Sequence, residues 1–122
     1  MKPQRPYPRT VRVAQQIQAI LGEIATKHID LSHLGFITFT RVNLTADLRQ
    51  AQVYYSVIKP LRSLSDIQKE FKRLKKAFKK FLAPELTLKN TPDLTFFYDD
   101  TFDYSEHLET IFKKIHSTKK PK

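Results

Sequence analysis

The chain has no cysteine and no tryptophan, only two glycines and one methionine, and no acidic residue before Glu23. Without cysteine there are no disulfides, no thiolate metal sites and no thiol nucleophile, a usage that fits a reducing, cytoplasmic setting. With Gly22 and Gly35 as the only glycines, a phosphate-cradling loop, a G-x-S-x-G nucleophile elbow and the G-x-x-G clamp of ordinary KH domains are all excluded. No aromatic RNA-recognition motif with flanking glycine is visible either, so the reading of single-stranded bases is not indicated. His28, His33, His107 and His116, unaided by cysteine, have no zinc spacing. Asp99, Asp100 and Asp103 have the D-D-x-x-D form that holds diphosphate through magnesium. That chemistry needs a helical cavity too large for this chain, and the same acids suffice as negative charge at a helix start. No catalytic residue, metal or cofactor is therefore expected, and no small-molecule substrate. Apolar runs last only a few residues, which excludes a membrane-spanning helix, and Met1 to Arg9 lacks the apolar core of a signal peptide. The acid-free start has the composition of a transit peptide, but Pro3, Pro6 and Pro8 break the amphipathic helix that such peptides need.

What is present is 122 residues with 22 Lys plus Arg against 12 Asp plus Glu, a net charge of +10. This length makes one domain, whose core can bury roughly 65% of the unfolded surface without staples. The positive charge is partitioned. Lys2, Arg5, Arg9 and Arg12 lie in the first twelve residues, seven bases lie between 69 and 80, and five lysines lie between 113 and 122. Together they exceed the net charge of the whole, so the remaining body is mildly acidic. Such clusters attract polyanions.

Residues 1–9, with three prolines, are predicted to be a flexible basic arm. Order is predicted from Thr10, as N-cap, with Val13, Ile17, Ile20, Leu21 and Ile24 forming one stripe of a helix that ends near His28. Gly22 inside that helix implies close packing against a neighbour. After a turn at Leu34-Gly35, Phe36–Leu44 and Gln50–Ile58 read as a β-hairpin turned by Thr45–Arg49. The apolar parity slips from Ile37 and Phe39 to Val42 and Leu44, which predicts a bulge near Thr40-Arg41. Ser65 and Gln68 have the spacing of a capping box for a second helix, 65–83, with Ile67, Phe71, Leu74, Phe78, Phe81 and Leu82 as its buried stripe. Pro84 ends it. Leu94–Tyr98 is the third strand, and Tyr104–His116 a last helix before a disordered Lys-rich tail at 117–122. The order αββαβα predicts an α+β fold, a three-stranded sheet with helices packed on one face.

The second helix carries the functional signal. Lys69, Lys72, Arg73, Lys75, Lys76, Lys79 and Lys80 fall within an arc of roughly 160° opposite the apolar stripe. Like pairs such as Lys72/Lys76 and Lys76/Lys80 cost a few tenths of a kcal/mol each, and Glu70 alone relieves them. A polyanion would remove the cost. A basic amphipathic helix can also lie on a membrane, but only with its apolar face free, and here the core needs that face. Phosphate contacts are what remain for the basic side. Arg5, Arg9, Arg12 and Lys89 are the supporting contacts expected. The alternative is a DNA-binding or protein-interaction module using the same helix, but Gln68 is the one amide available among the bases to read a major groove.

Three segments together resemble the bacterial ribosome-binding factor A family. They are Arg12-Val13-Ala14 with Ile17, then Val42–Ser56, similar to V-x-x-S/T-x-D-L-x-x-A-x-V-Y-x-S, and Leu86–Asp99, similar to L-x-L-R-x-x-P-E-L-x-F-x-x-D. The likeness runs from about Arg9 to Ile115. It implies a KH-like type II domain over 10–116 and a non-enzymatic monomer that binds the immature small ribosomal subunit and its ribosomal RNA. It further implies help in late maturation, with particular weight in the cold. The family's small A-x-G kink element corresponds here to Leu74-Lys75-Lys76 before Ala77, which predicts a continuous helix, and its D-P after the first helix is Leu31-Ser32.

Overall fold

The computed structural model describes residues 8–100. Residues 1–7 of the expected arm, with Arg5, the helix expected at 104–116 and the tail at 117–122 lie outside them, whereas Pro8 and Arg9, expected in the arm, already belong to the first helix and its cap. The elements are α1 (Arg9–Lys27), a 3-10 turn (Ser32–Leu34), β1 (Phe36–Leu44), β2 (Gln50–Ile58), α2 (Leu64–Leu82), a second 3-10 turn (Ala83–Glu85) and β3 (Asp93–Tyr98). The sheet runs β1-β2-β3, with β1 antiparallel to β2 and β2 parallel to β3. It is therefore mixed, and α2 is the crossover that a parallel pair requires.

Both helices cover one face. Ala51, Val53, Tyr55 and Val57 alternate along β2 toward them and are buried with Ile17, Leu21 and Ile24 of α1 and Ile67, Phe71, Phe78 and Leu82 of α2. At the centre Phe39, Phe71, Phe78 and Phe96 stand with ring centroids 4.9 to 6.3 Å apart. α2 is uninterrupted through Leu74 to Ala77, and it stops where Pro84 enters the following 3-10 turn.

Local chemistry sets the boundaries, in three places otherwise than expected. Pro8, not Thr10, is the N-cap of α1, its carbonyl accepting from the amides of Val11 and Arg12, with Thr10 already helical. A proline there spends no amide and presets its own backbone torsion. Ser63, not Ser65, caps α2 by accepting the Asp66 amide at 3.0 Å. Gln68 is drawn inward instead. Its Oε1 accepts the Tyr55 hydroxyl at 2.6 Å and its Nε2 donates to the Phe96 carbonyl at 2.7 Å. Tyr55 is fully buried, and burial pushes its hydroxyl pKa up to about 12, so it serves as a neutral donor. Finally, Gly22 meets no neighbour. A side chain there would enter open space.

The expected bulge is present, with the register shifting between Phe39 and Arg41. Gln18 of α1 caps it, donating to the Phe39 carbonyl at 2.9 Å. The Thr-x-Asp-Leu turn explains itself. Asp47 accepts from the Thr45 hydroxyl and the Arg49 amide, Thr45 accepts the Gln50 amide, and Leu48 takes a positive φ of 62°. After α1, Asp30 accepts the Ser32 amide at 2.9 Å and makes the turn that Leu31-Ser32 left open. Gly35, at φ 123°, leaves only 2.8 Å between an added Cβ and the Lys59 carbonyl.

Candidate nucleic-acid interface

α2 places its lysines by elementary geometry. With Ile67, Phe71, Phe78 and Leu82 committed to the core, the opposite arc turns outward, and Lys69, Lys72, Arg73, Lys75, Lys76 and Lys80 are exposed, with Lys79 partly so. All seven predicted bases thus share one face.

Two of the seven are held by acids of the same chain. Arg73 grips Glu70 with two hydrogen bonds, Nε to Oε1 at 3.0 Å and Nη2 to Oε2 at 2.6 Å, while His33 Nε2 lies 3.3 Å from Oε2. The Arg73 hydrogen bonds, more than the His33 contact, hold the Glu70 carboxyl down to about 2, against the opposing effect of burial. Lys79 Nζ donates to Asp93 Oδ1 at 2.6 Å, and that hydrogen bond, with Lys75 adding a weaker pull, lowers the Asp93 pKa. Lys69, Lys72, Lys75, Lys76 and Lys80 make no ion pair among the described residues. They are the free positive charge of the face.

The lysines border a groove. Lys75, Lys76 and Lys79 line one side and Gln50, Asp93, Leu94 and Thr95 the other, enclosing about 350 Å³ along the edge of β3 that has no strand partner among the described residues. Spacing along the sequence could not show it, because the groove exists only once β3 lies beside β2. A phosphate entering it meets Lys75 and Lys76 beside the Lys79–Asp93 pair, with the Gln50 amide and Thr95 hydroxyl opposite.

The supporting bases are distributed elsewhere. Arg9 and Arg12 are exposed on the first turn of α1, where the helix dipole is already positive and no acid relieves it. Lys89 is exposed in the connection from α2 to β3. Arg5 lies outside the described residues. Gln68, the one amide that could have read a DNA groove, is consumed by Tyr55 and Phe96. Of the acids at 99–103, Asp99 is buried and accepts the Thr40 hydroxyl. No helix among the described residues is long and apolar enough to cross a membrane.

Comparison with known proteins agrees with this architecture. The family model for ribosome-binding factor A matches residues 9–112. The ribosome-binding factor A of Citrifermentans bemidjiense is 33% identical over 110 residues, covering 90% of this chain and 92% of the relative. That of Desulfatibacillum aliphaticivorans is 36% identical over 107 residues, covering 88% and 87%. The crystal structure of the Thermus thermophilus protein of the same name superposes with a TM-score of 0.64 at 19% identity, over 75% of this chain and 97% of that one. A homology model of the Thermus protein has been fitted into a cryo-EM map of its complex with the 30S subunit, and it superposes with a TM-score of 0.60.

Proposed function

The chain belongs to the ribosome-binding factor A family, and on that premise we propose that it binds the immature small ribosomal subunit as a monomer, docking the lysine face of α2 on ribosomal RNA. The observation that carries this reading is the set of five exposed lysines without ion-pair partners among the described residues, on a helix whose apolar side is already buried. Such a face can bind polyanions, and the helix has most of its apolar stripe committed to the core rather than free for a membrane. The relative fitted on the 30S subunit supports the choice of polyanion.

Its work would be conformational. Binding one arrangement of the RNA more tightly than others shifts the population toward it, and no bond is made or broken. Misfolded arrangements are escaped more slowly in the cold, where such a bias matters most. The lysines supply positioning contacts to phosphates, and the basic arm and Lys-rich tail add screened charge with little specificity. The setting is the cytoplasm, where subunits are assembled.

Sedimentation with purified small and large subunits at two salt concentrations tests the reading. The expected result is selective binding to small subunits. With ~6 phosphates contacted, the log-log slope of affinity against salt should be about −4 to −5. Equal binding to both subunits, or a flat slope, contradicts it.

A further inference from the structure

We propose that the sheet face turned away from the helices is a stacking platform for unpaired RNA bases, built on Arg41, Tyr54 and Phe97. The proposal rests on RNA being the ligand of the α2 face. The three residues occupy one cross-strand row, Arg41 opposite Tyr54 on β2 and Tyr54 opposite Phe97 on β3. Their parity is opposite to that of Val53, Tyr55 and Phe96, which point into the core. The Arg41 guanidinium lies 4.1 Å from the Tyr54 ring centroid, and the Tyr54 and Phe97 rings stack at 5.5 Å with 30° between their planes.

A cross-strand aromatic pair can be there for sheet stability alone. Two features go beyond that. Phe97 remains 39% exposed on a strand that has no partner on its outer side among the described residues. Arg41 covers one side of Tyr54 and Phe97 the other, so an incoming base stacks at an end of the ladder, and Phe97 is the end beside the lysine groove. The neighbouring row, Asn43, Gln52 and Thr95, is exposed and makes no side-chain hydrogen bond among the described residues. Amides and a hydroxyl beside a π surface are what the edges and faces of unpaired bases require.

Thr95 joins the platform to the lysines. It lines the groove with Lys75, Lys76 and Lys79, and Phe97 follows two residues later, ~7 Å along the strand. A strand whose phosphates lie against those lysines can turn its next base onto Phe97. The row on the other side is closed by the Thr40 hydrogen bond to buried Asp99. The ligand class is therefore single-stranded RNA continuous with the structured RNA held by α2.

The test compares full-length protein binding a short blunt RNA hairpin and the same hairpin with a three-adenosine 3′ extension that carries 2-aminopurine. The extension should tighten binding about tenfold and the 2-aminopurine fluorescence should be quenched. Phe97→Leu should remove both the gain and the quench, leaving blunt-hairpin affinity and salt slope unchanged and lowering the melting temperature by only a few degrees, and Phe97→Tyr should keep the gain and the quench. Arg41→Gln gives a second variant, with a reduced gain. The platform is overturned if the extension adds nothing for the wild type, as it would if the rest of the chain or a protein partner owned this face, or if the gain survives Phe97→Leu. Loss of blunt-hairpin binding instead marks failure of the α2 reading, and an extension that still binds only with Phe97 present separates the two.

Discussion

α1 and α2 are both 19 residues long, lie on the same face of the same sheet and bury comparable apolar stripes, yet their outer faces have little in common. Between the bases at its ends, Arg9, Arg12 and Lys27, α1 turns Gln15, Gln16, Ala19 and Glu23 to water, whereas α2 turns out a row of lysines from Lys69 to Lys80. Folding needs the buried stripes of both, and α1 demonstrates that neutral amides satisfy the solvent side. The lysine surplus of α2 is thus not a requirement of the fold. It costs repulsion, and under the proposed function a phosphate partner compensates it.

The largest expected effects fall on what the helices share. Phe71→Ala should cost ~3–5 kcal/mol and Ile17→Ala ~2–5 kcal/mol in denaturant unfolding, because both side chains are fully buried. A much smaller loss for either would show that helix to be an accessory rather than part of the core. The next effect should separate the helices. Lys72→Gln, Lys76→Gln and Lys80→Gln combined should weaken RNA binding by about a hundredfold and flatten the salt slope by about 2 to 3, with no fall in melting temperature. Gln15→Glu, Gln16→Glu and Ala19→Glu combined change the net charge equally but should alter affinity only severalfold. Equal losses would mean that net charge, rather than the α2 face, is what binds.

The smallest effect concerns Glu70. Its pKa of about 2 lies below the ordinary 4.5, so its stabilising contribution is present above pH 4.5 and is lost as pH falls toward 2. Asp30, Asp47 and Asp93, also lowered by their hydrogen bonds, titrate in the acid range in any variant. Glu70→Gln should therefore still lose stability on acidification, but by a few degrees less than the wild type in thermal melts. At neutral pH it should release Arg73 and strengthen RNA binding slightly. An identical acid profile would mean that the Arg73 contact contributes nothing.

Periodicity made much of this legible. Strand-forming composition marked β1 and period-two alternation marked β2 at their observed limits, the parity slip marked the bulge at Thr40-Arg41, and the 3.6-residue repeat separated lysines from phenylalanines on α2. What sequence spacing missed depends on neighbours distant in the chain. Gln68 sits correctly for a capping box, but the buried Tyr55 hydroxyl, thirteen residues earlier, claims it. With Gln68 so claimed, the cap falls to Ser63, whose hydroxyl accepts the Asp66 amide. The groove and the Arg41–Tyr54–Phe97 row appear only when β3 pairs in parallel with β2, and the Lys79–Asp93 pair needs the same register.

Because the chain has no cysteine, a single introduced thiol can report which helix meets RNA. An iron chelate tethered at Lys76→Cys on α2 or at Gln16→Cys on α1 generates hydroxyl radicals in the complex with the small subunit. The account predicts discrete cleavage of ribosomal RNA from position 76 and little or none from position 16. Cleavage from position 16 alone, or equally from both, would contradict it.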